Sequence, residues 1–147
     1  MKKARLVIAL VFVGFISSWQ GAFAATHQDI TGVWQSQAET TFGVCYGETS
    51  LMPNGQYSKT LRCGEMFTRE VGTYVVEFGT YTFAEGFEEY EGYLRFKLGN
   101  YEPKIYKGGQ MILPRDQTVF FRFDAPDRMI CYDRITGGRW EATRKLW

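Results

Sequence analysis

The chain has 147 residues, a formal charge of +1 and 17% aromatic residues, which is one domain's length with enough apolar surface to bury a core unaided. Charges of both signs are mixed along it, without the basic stripe of a nucleic-acid binder, so no nucleic-acid partner is expected. No repeat, low-complexity tract or Pro-rich linker divides it.

Residues 1–24 read as a signal peptide. Lys2, Lys3 and Arg5 open it, an uncharged apolar run extends from Leu6 to Ile16, and Ala22-Phe23-Ala24 supplies a small-x-small cleavage site. A spanning helix needs about 20 apolar residues, so no stable membrane anchor is expected, and residues 25–147 are expected to be periplasmic or secreted. Cleavage removes three bases and no acid, which leaves 14 basic and 16 acidic residues. The new terminus, Ala25-Thr26-His27, offers the amine, amides and imidazole that wrap Cu(II) or Ni(II) in a square plane. Any histidine falling third does the same, so no functional metal is expected there.

After the signal, Tyr, Phe, Trp, Val and Thr recur in short runs punctuated by Gly, the pattern of an antiparallel meander. Strands are expected over Gly32 to Ala38, Val44 to Met52, Gln56 to Cys63, Phe67 to Val76, Thr80 to Phe83 and Tyr93 to Leu98. Three more are expected over Thr118 to Phe123, Met129 to Arg134 and Arg139 to Arg144. The fold class is therefore all-β, a small antiparallel up-and-down barrel of eight or nine strands, because closure removes the two unpaired sheet edges a meander leaves.

One hairpin can be placed in register by arithmetic. Pro53-Asn54-Gly55 suits a three-residue loop with Gly in the left-handed position, so Met52 faces Gln56 and paired residues sum to 108. Cys45 and Cys63 also sum to 108, and they fall on a non-hydrogen-bonded pair, where side chains approach most closely. A disulfide there closes an 18-residue separation and is worth about 3 kcal/mol on the chain-entropy estimate. The register also places Leu51, Tyr57 and Leu61 on one face, with Glu48, Ser50, Ser58 and Arg62 on the other. Cys131, left over, reads as a buried small hydrophobe, although pairing with either other cysteine is not excluded by spacing.

Asp29-Ile30-Thr31-Gly32-Val33-Trp34 resembles the Gly-x-Trp opening of lipocalin-like proteins, the small calycin-type barrels that often enclose an apolar ligand. Val71-Gly72-Thr73-Tyr74-Val75, the segment Thr118 to Phe123 and Gly137-Gly138-Arg139-Trp140 are similar to small exported bacterial domains of that kind. The resemblance implies that Trp34 closes the barrel floor under a basic residue of the last strand, Arg144 first and Arg139 second, in a structural cation–π contact. A barrel of this size is either filled by its own side chains or holds one small ligand, and strand count does not choose. Residues 84–116, rich in Tyr and Glu and bracketed by Pro103 and Pro114, suggest a long loop or lid.

Catalytic chemistry has little footing. His27 is the single histidine, and no nucleophile elbow, phosphate loop or metal-ligand spacing appears, so neither enzyme activity nor a cofactor is expected. Glu85, Glu88, Glu89 and Glu91 lack the spaced ligands and central Gly of a calcium loop and read as a solvated face. The expected function is non-enzymatic binding of a small apolar or amphipathic ligand, with Tyr57, Phe83, Tyr93, Arg122 and Arg134 as ligand-binding residues. The alternative is a protein-binding barrel, for instance an inhibitor of an extracellular hydrolase. Exported bacterial metalloprotease inhibitors resemble this chain in size, signal, first strand and disulfide, which would make Ala25 to Ile30 the inserting segment.

Overall fold

A computed structural model describes residues 25–41, 43–83 and 88–146; the signal peptide expected over 1–24 lies outside the described residues. A single helical turn, α1 (His27–Ile30), leads into β1 (Gly32–Thr40), β2 (Gly43–Leu51), β3 (Gln56–Cys63), β4 (Met66–Thr82) and β5 (Glu89–Glu102). Two short strands, β6 (Ile105–Tyr106) and β7 (Gly109–Gln110), pair only with each other, and β8 (Asp116–Ala125), β9 (Arg128–Asp133) and β10 (Gly138–Arg144) complete the chain. β1 pairs with both β2 and β10, so eight antiparallel strands close into an up-and-down barrel and the first and last strands of the meander are no longer edges.

Eight strands rather than nine form the ring because the expected fourth and fifth strands are one. β4 runs unbroken through Gly79, and a β-bulge between Phe78 and Tyr81 absorbs the irregularity opposite Glu91. The β2–β3 hairpin has the register expected from its turn: Met52 donates its backbone N–H to Gln56 at 2.9 Å, and Cys45 faces Cys63. Those cysteines are joined, with Cα atoms 4.3 Å apart, the close spacing of a non-hydrogen-bonded pair. The bond suits an oxidising compartment.

Alternation along the strands sends Trp34, Leu51, Tyr57, Tyr74, Leu94, Phe96, Phe121, Met129 and Cys131 inward to a continuous core. Gly72 is needed for this packing. A Cβ there would sit 2.1 Å from the Lys97 carbonyl oxygen and 2.9 Å from the Tyr57 ring, so only glycine lets β4 pass β5 beneath that aromatic. The extra residue of the bulge at this point is Gly99, because Val71 faces Asn100 while Gly72 faces Leu98.

The floor is closed as the lipocalin-like opening implies. The Arg144 guanidinium lies 4.4 Å from the Trp34 ring centroid, a cation–π contact worth about 1–2 kcal/mol when desolvated. Arg144 also donates to the backbone carbonyls of Thr31 and Asp29, while the Trp34 indole N–H donates to the Ile30 carbonyl at 2.7 Å. Ile30 is fully buried beneath them. Arg139 does not share this role; it binds Glu88 elsewhere on the wall.

Candidate functional site

The barrel interior is filled. The space between Trp34 and Trp140 inside the barrel is about 50 Å³, room for one or two waters, whereas pockets for small organic ligands occupy about 300–1,000 Å³. Above that space lies a polar network from four strands. Lys59 donates to Gln117 Oε1 at 3.1 Å, pairs with Glu70 at 3.5 Å and sits 4.7 Å over the Phe96 ring. The Tyr57 hydroxyl donates to Glu70 at 3.1 Å, and Gln117 donates to Asp133 at 3.2 Å. Asp133 in turn accepts the backbone N–H groups of Ile135 and Thr136, which order the β9–β10 turn. Each member has a partner in another strand or turn, so the network ties the walls together. Burial, followed by the neighbouring Glu70 carboxylate, pushes the Tyr57 hydroxyl well above its ordinary range.

The five expected ligand-binding residues do not converge on one cavity. Tyr57 points inward, whereas Phe83, Tyr93, Arg122 and Arg134 belong to the outer wall. Tyr93, Phe120, Tyr132 and Arg139 are successive cross-strand neighbours over β5, β8, β9 and β10, and Tyr81, Phe83, Glu88 and Tyr90 at the adjoining ends of β4 and β5 lie against this row. Phe83 contacts Phe120 at 4.6 Å and Tyr132 at 5.5 Å, Tyr81 contacts Tyr93 at 5.6 Å, and Arg134 stacks 5.1 Å from Phe83. Glu88 accepts two hydrogen bonds from Arg139, at 2.8 and 3.0 Å, and lies 3.6 Å from Arg122. These residues form a second, external aromatic core, sealed by ion pairs.

Two acids of the acidic run and the reactive-group candidates are likewise engaged. Glu88 is bound by Arg139, and Glu91 accepts the backbone N–H of Phe123; Glu85 lies outside the described residues. His27 stacks on Tyr74, with ring centroids 6.0 Å apart, and the Thr26 N–H is taken by Asp29 at 2.7 Å. Residues 27–30 therefore belong to the barrel floor instead of forming a free arm. Cys131 is a free thiol inside the barrel, and burial pushes it up to about 12, which leaves it unreactive at neutral pH.

A roomier site lies where the expected lid was drawn, against the wall instead of over the barrel mouth. β8 starts at Asp116, opposite Lys97, so the end of β5 from Leu98 onward is paired with β4 alone. Residues 103–115 return beside that unmatched edge as a flap. Leu98 donates its N–H to the Arg115 carbonyl at 2.8 Å, and the Tyr101 hydroxyl reaches the Met111 carbonyl at 2.8 Å. The β6–β7 turn takes positive φ at both central residues, 49° at Lys107 and 79° at Gly108, the geometry of a two-residue type I′ hairpin. Between flap and β5 runs a groove of about 660 Å³, lined by Leu98, Tyr101, Ile112 and Leu113 with Lys97, Lys104, Arg115 and Asp116 around them.

Its electrostatics are unbalanced. Lys104 is held locally, donating to Asn100 at 3.0 Å and lying 3.4 Å from the Tyr101 centroid. Among the described residues, neither the Lys97 nor the Arg115 side chain has an ion-pair or hydrogen-bonding partner, and Asp116 is the one carboxylate lining the groove. A second outer depression, about 510 Å³ over β1 to β3, differs in this respect: its Glu48 is bound by Gln35 and Lys145, and its Arg62 stacks on Phe67. Lys97, Leu98, Lys104, Ile112, Leu113 and Arg115 of the groove were not singled out from sequence. Lys59, by contrast, was within reach of the hairpin arithmetic, because it shares its parity with Tyr57 and Leu61.

The fold thus defines a closed, eight-stranded antiparallel up-and-down β-barrel with a filled interior and a cationic groove on its flank. Neither a protein-family model nor a curated protein matches the chain.

Proposed function

We propose that this chain is a non-enzymatic, exported barrel of the calycin type that binds a small amphipathic anion in the groove between β5 and the flap. The observation that carries the reading is the pair of unpartnered cations, Lys97 and Arg115, beside an apolar floor of ligand-sized volume. An Arg fork and a Lys ammonium supply charge-assisted hydrogen bonds to a carboxylate, while Leu98, Ile112 and Leu113 take up a short alkyl chain. The Trp34–Arg144 floor supports the calycin assignment, and the disulfide together with the signal-like residues 1–24 supports export. The groove supports the same ligand chemistry that the sequence suggests and moves its location from the interior to the flank.

Amide-resolved NMR titration of residues 25–147 with decanoate tests this. Shifts are expected at Leu98, Gly99 and Leu113, and Lys97→Glu with Arg115→Glu is expected to weaken binding about tenfold or more. Shifts confined to the interior around Trp34 and Trp140, or an affinity unchanged by the charge reversals, would overturn the assignment.

A further inference from the structure

We infer that the flap bearing this groove docks on an anionic lipid bilayer, with the β6–β7 hairpin as the contacting edge. The inference rests on the groove reading for its purpose, uptake of an amphipathic anion from the bilayer, but its physical basis is separate. Ile105 and Ile112 are 67% and 76% exposed. Ile105 pairs with Gln110, and Met111 donates to the Lys104 carbonyl at 2.8 Å, which continues the ladder. Cross-strand pairing therefore puts Ile105 and Gln110 on one face of the flap, with Ile112 two residues beyond. Gln110 and Ile112 line the groove, so the exposed apolar tips stand at its mouth.

Charge complementarity selects the partner. From Lys97 to Arg115 the chain carries four cations, Lys97, Lys104, Lys107 and Arg115, against one carboxylate, Glu102. The rest of residues 25–147 carries 10 basic and 15 acidic residues, so this segment reverses the sign of its surroundings. The type I′ turn projects Lys107 at the tip, beside Tyr106, with its ammonium 5.5 Å from that ring. Aliphatic tips flanked by lysines and an interfacial tyrosine match the layering of an anionic headgroup region, where cations meet phosphates and short apolar side chains reach the acyl boundary. A protein partner would also cover Ile105 and Ile112, but the one-sided cationic excess favours a uniformly anionic surface. Among the described residues no helix is long and apolar enough to cross a membrane, and docking of this kind is peripheral.

Flotation of residues 25–147 with phosphatidylcholine vesicles, with and without phosphatidylglycerol, is the test, and binding of soluble decanoate is measured in parallel. Flotation is expected only with phosphatidylglycerol and only at low salt, where screening is weak. Lys104→Glu with Lys107→Glu is expected to weaken it about tenfold or more. Ile105→Ser with Ile112→Ser is expected to abolish it, with an unchanged circular dichroism spectrum because both side chains are exposed. Equal flotation with both vesicle types, no flotation, or flotation unaffected by both double variants would overturn the inference. Decanoate binding without flotation would sink the docking surface and leave the groove standing. Flotation without decanoate binding would do the reverse.

Discussion

Two excursions leave the barrel wall, and they end differently. The adjoining ends of β4 and β5 lie against β8, β9 and β10 and are held there by Phe83, Tyr90 and the Glu88–Arg139 bridge. The flap at residues 103–115 lies beside the end of β5 and leaves a groove. Both are long, Gly-containing and rich in Tyr, so length and composition do not separate them. What separates them is the wall beneath. The ends of β4 and β5 meet a ready-made aromatic row, Tyr93, Phe120 and Tyr132, into which their own rings interdigitate. The flap meets a strand end that is paired on one side only and offers no aromatic row to interdigitate with, so it is tethered by a few backbone-directed hydrogen bonds.

That contrast breaks most readily at Phe120. Its ring touches Tyr81, Phe83, Tyr90 and Tyr93, and Phe120→Ala is expected to destabilise the protein by about 2–3 kcal/mol in urea unfolding. Hydrogen exchange should then rise at the adjoining ends of β4 and β5 while decanoate binding is retained; loss of binding as well would show that the two excursions are coupled. Tyr101→Phe tests the opposite side with a smaller effect. It removes the bond to the Met111 carbonyl and is expected to cost about 1 kcal/mol, with faster exchange confined to the flap. An unchanged flap would mean that its backbone bonds alone hold it.

The smallest expected effect is a pH step at the start of β5. Hydrogen bonds from Tyr90 and then Arg139 hold the Glu88 carboxyl below its ordinary value of 4.5. A carboxyl whose folded value is depressed contributes stability that is present above its unfolded value and is lost as pH falls through the folded one. Exchange protection at Glu89 and Tyr90, relative to the intrinsic rate at each pH, is therefore expected to drop as pH falls below about 4.5, and Glu88→Gln should abolish the step. Persistence of the step in that variant would assign it to another group.

Much of the fold was legible because its signals are local. Pro53-Asn54-Gly55 set the turn, the turn set the register, and the register paired Cys45 with Cys63. Trp34 and Arg144 were legible through resemblance, and their contact is present. The break expected between Val76 and Thr80 was misleading, because Gly79 reads as punctuation whereas a bulge accommodates it inside a strand. The start of β5 was missed although Gly92, Leu94 and Phe96 alternate inward, because the acidic residues before them, Glu88, Glu89 and Glu91, read as loop. Arg122 and Arg134 were reasonable partners for a carboxylate by type, but one sits beside Glu88 and the other stacks on Phe83.

By itself, then, the sequence determined what neighbouring residues can settle: the all-β class, the β2–β3 hairpin and its disulfide register, and the Trp34 opening. Tertiary structure alone decided which face of each aromatic is buried, that the interior is full, and that a groove exists. The groove has a nonlocal cause. β5 outruns β8, a strand that begins 14 residues after β5 ends, and only closure of the whole ring exposes the difference in length as an unmatched edge.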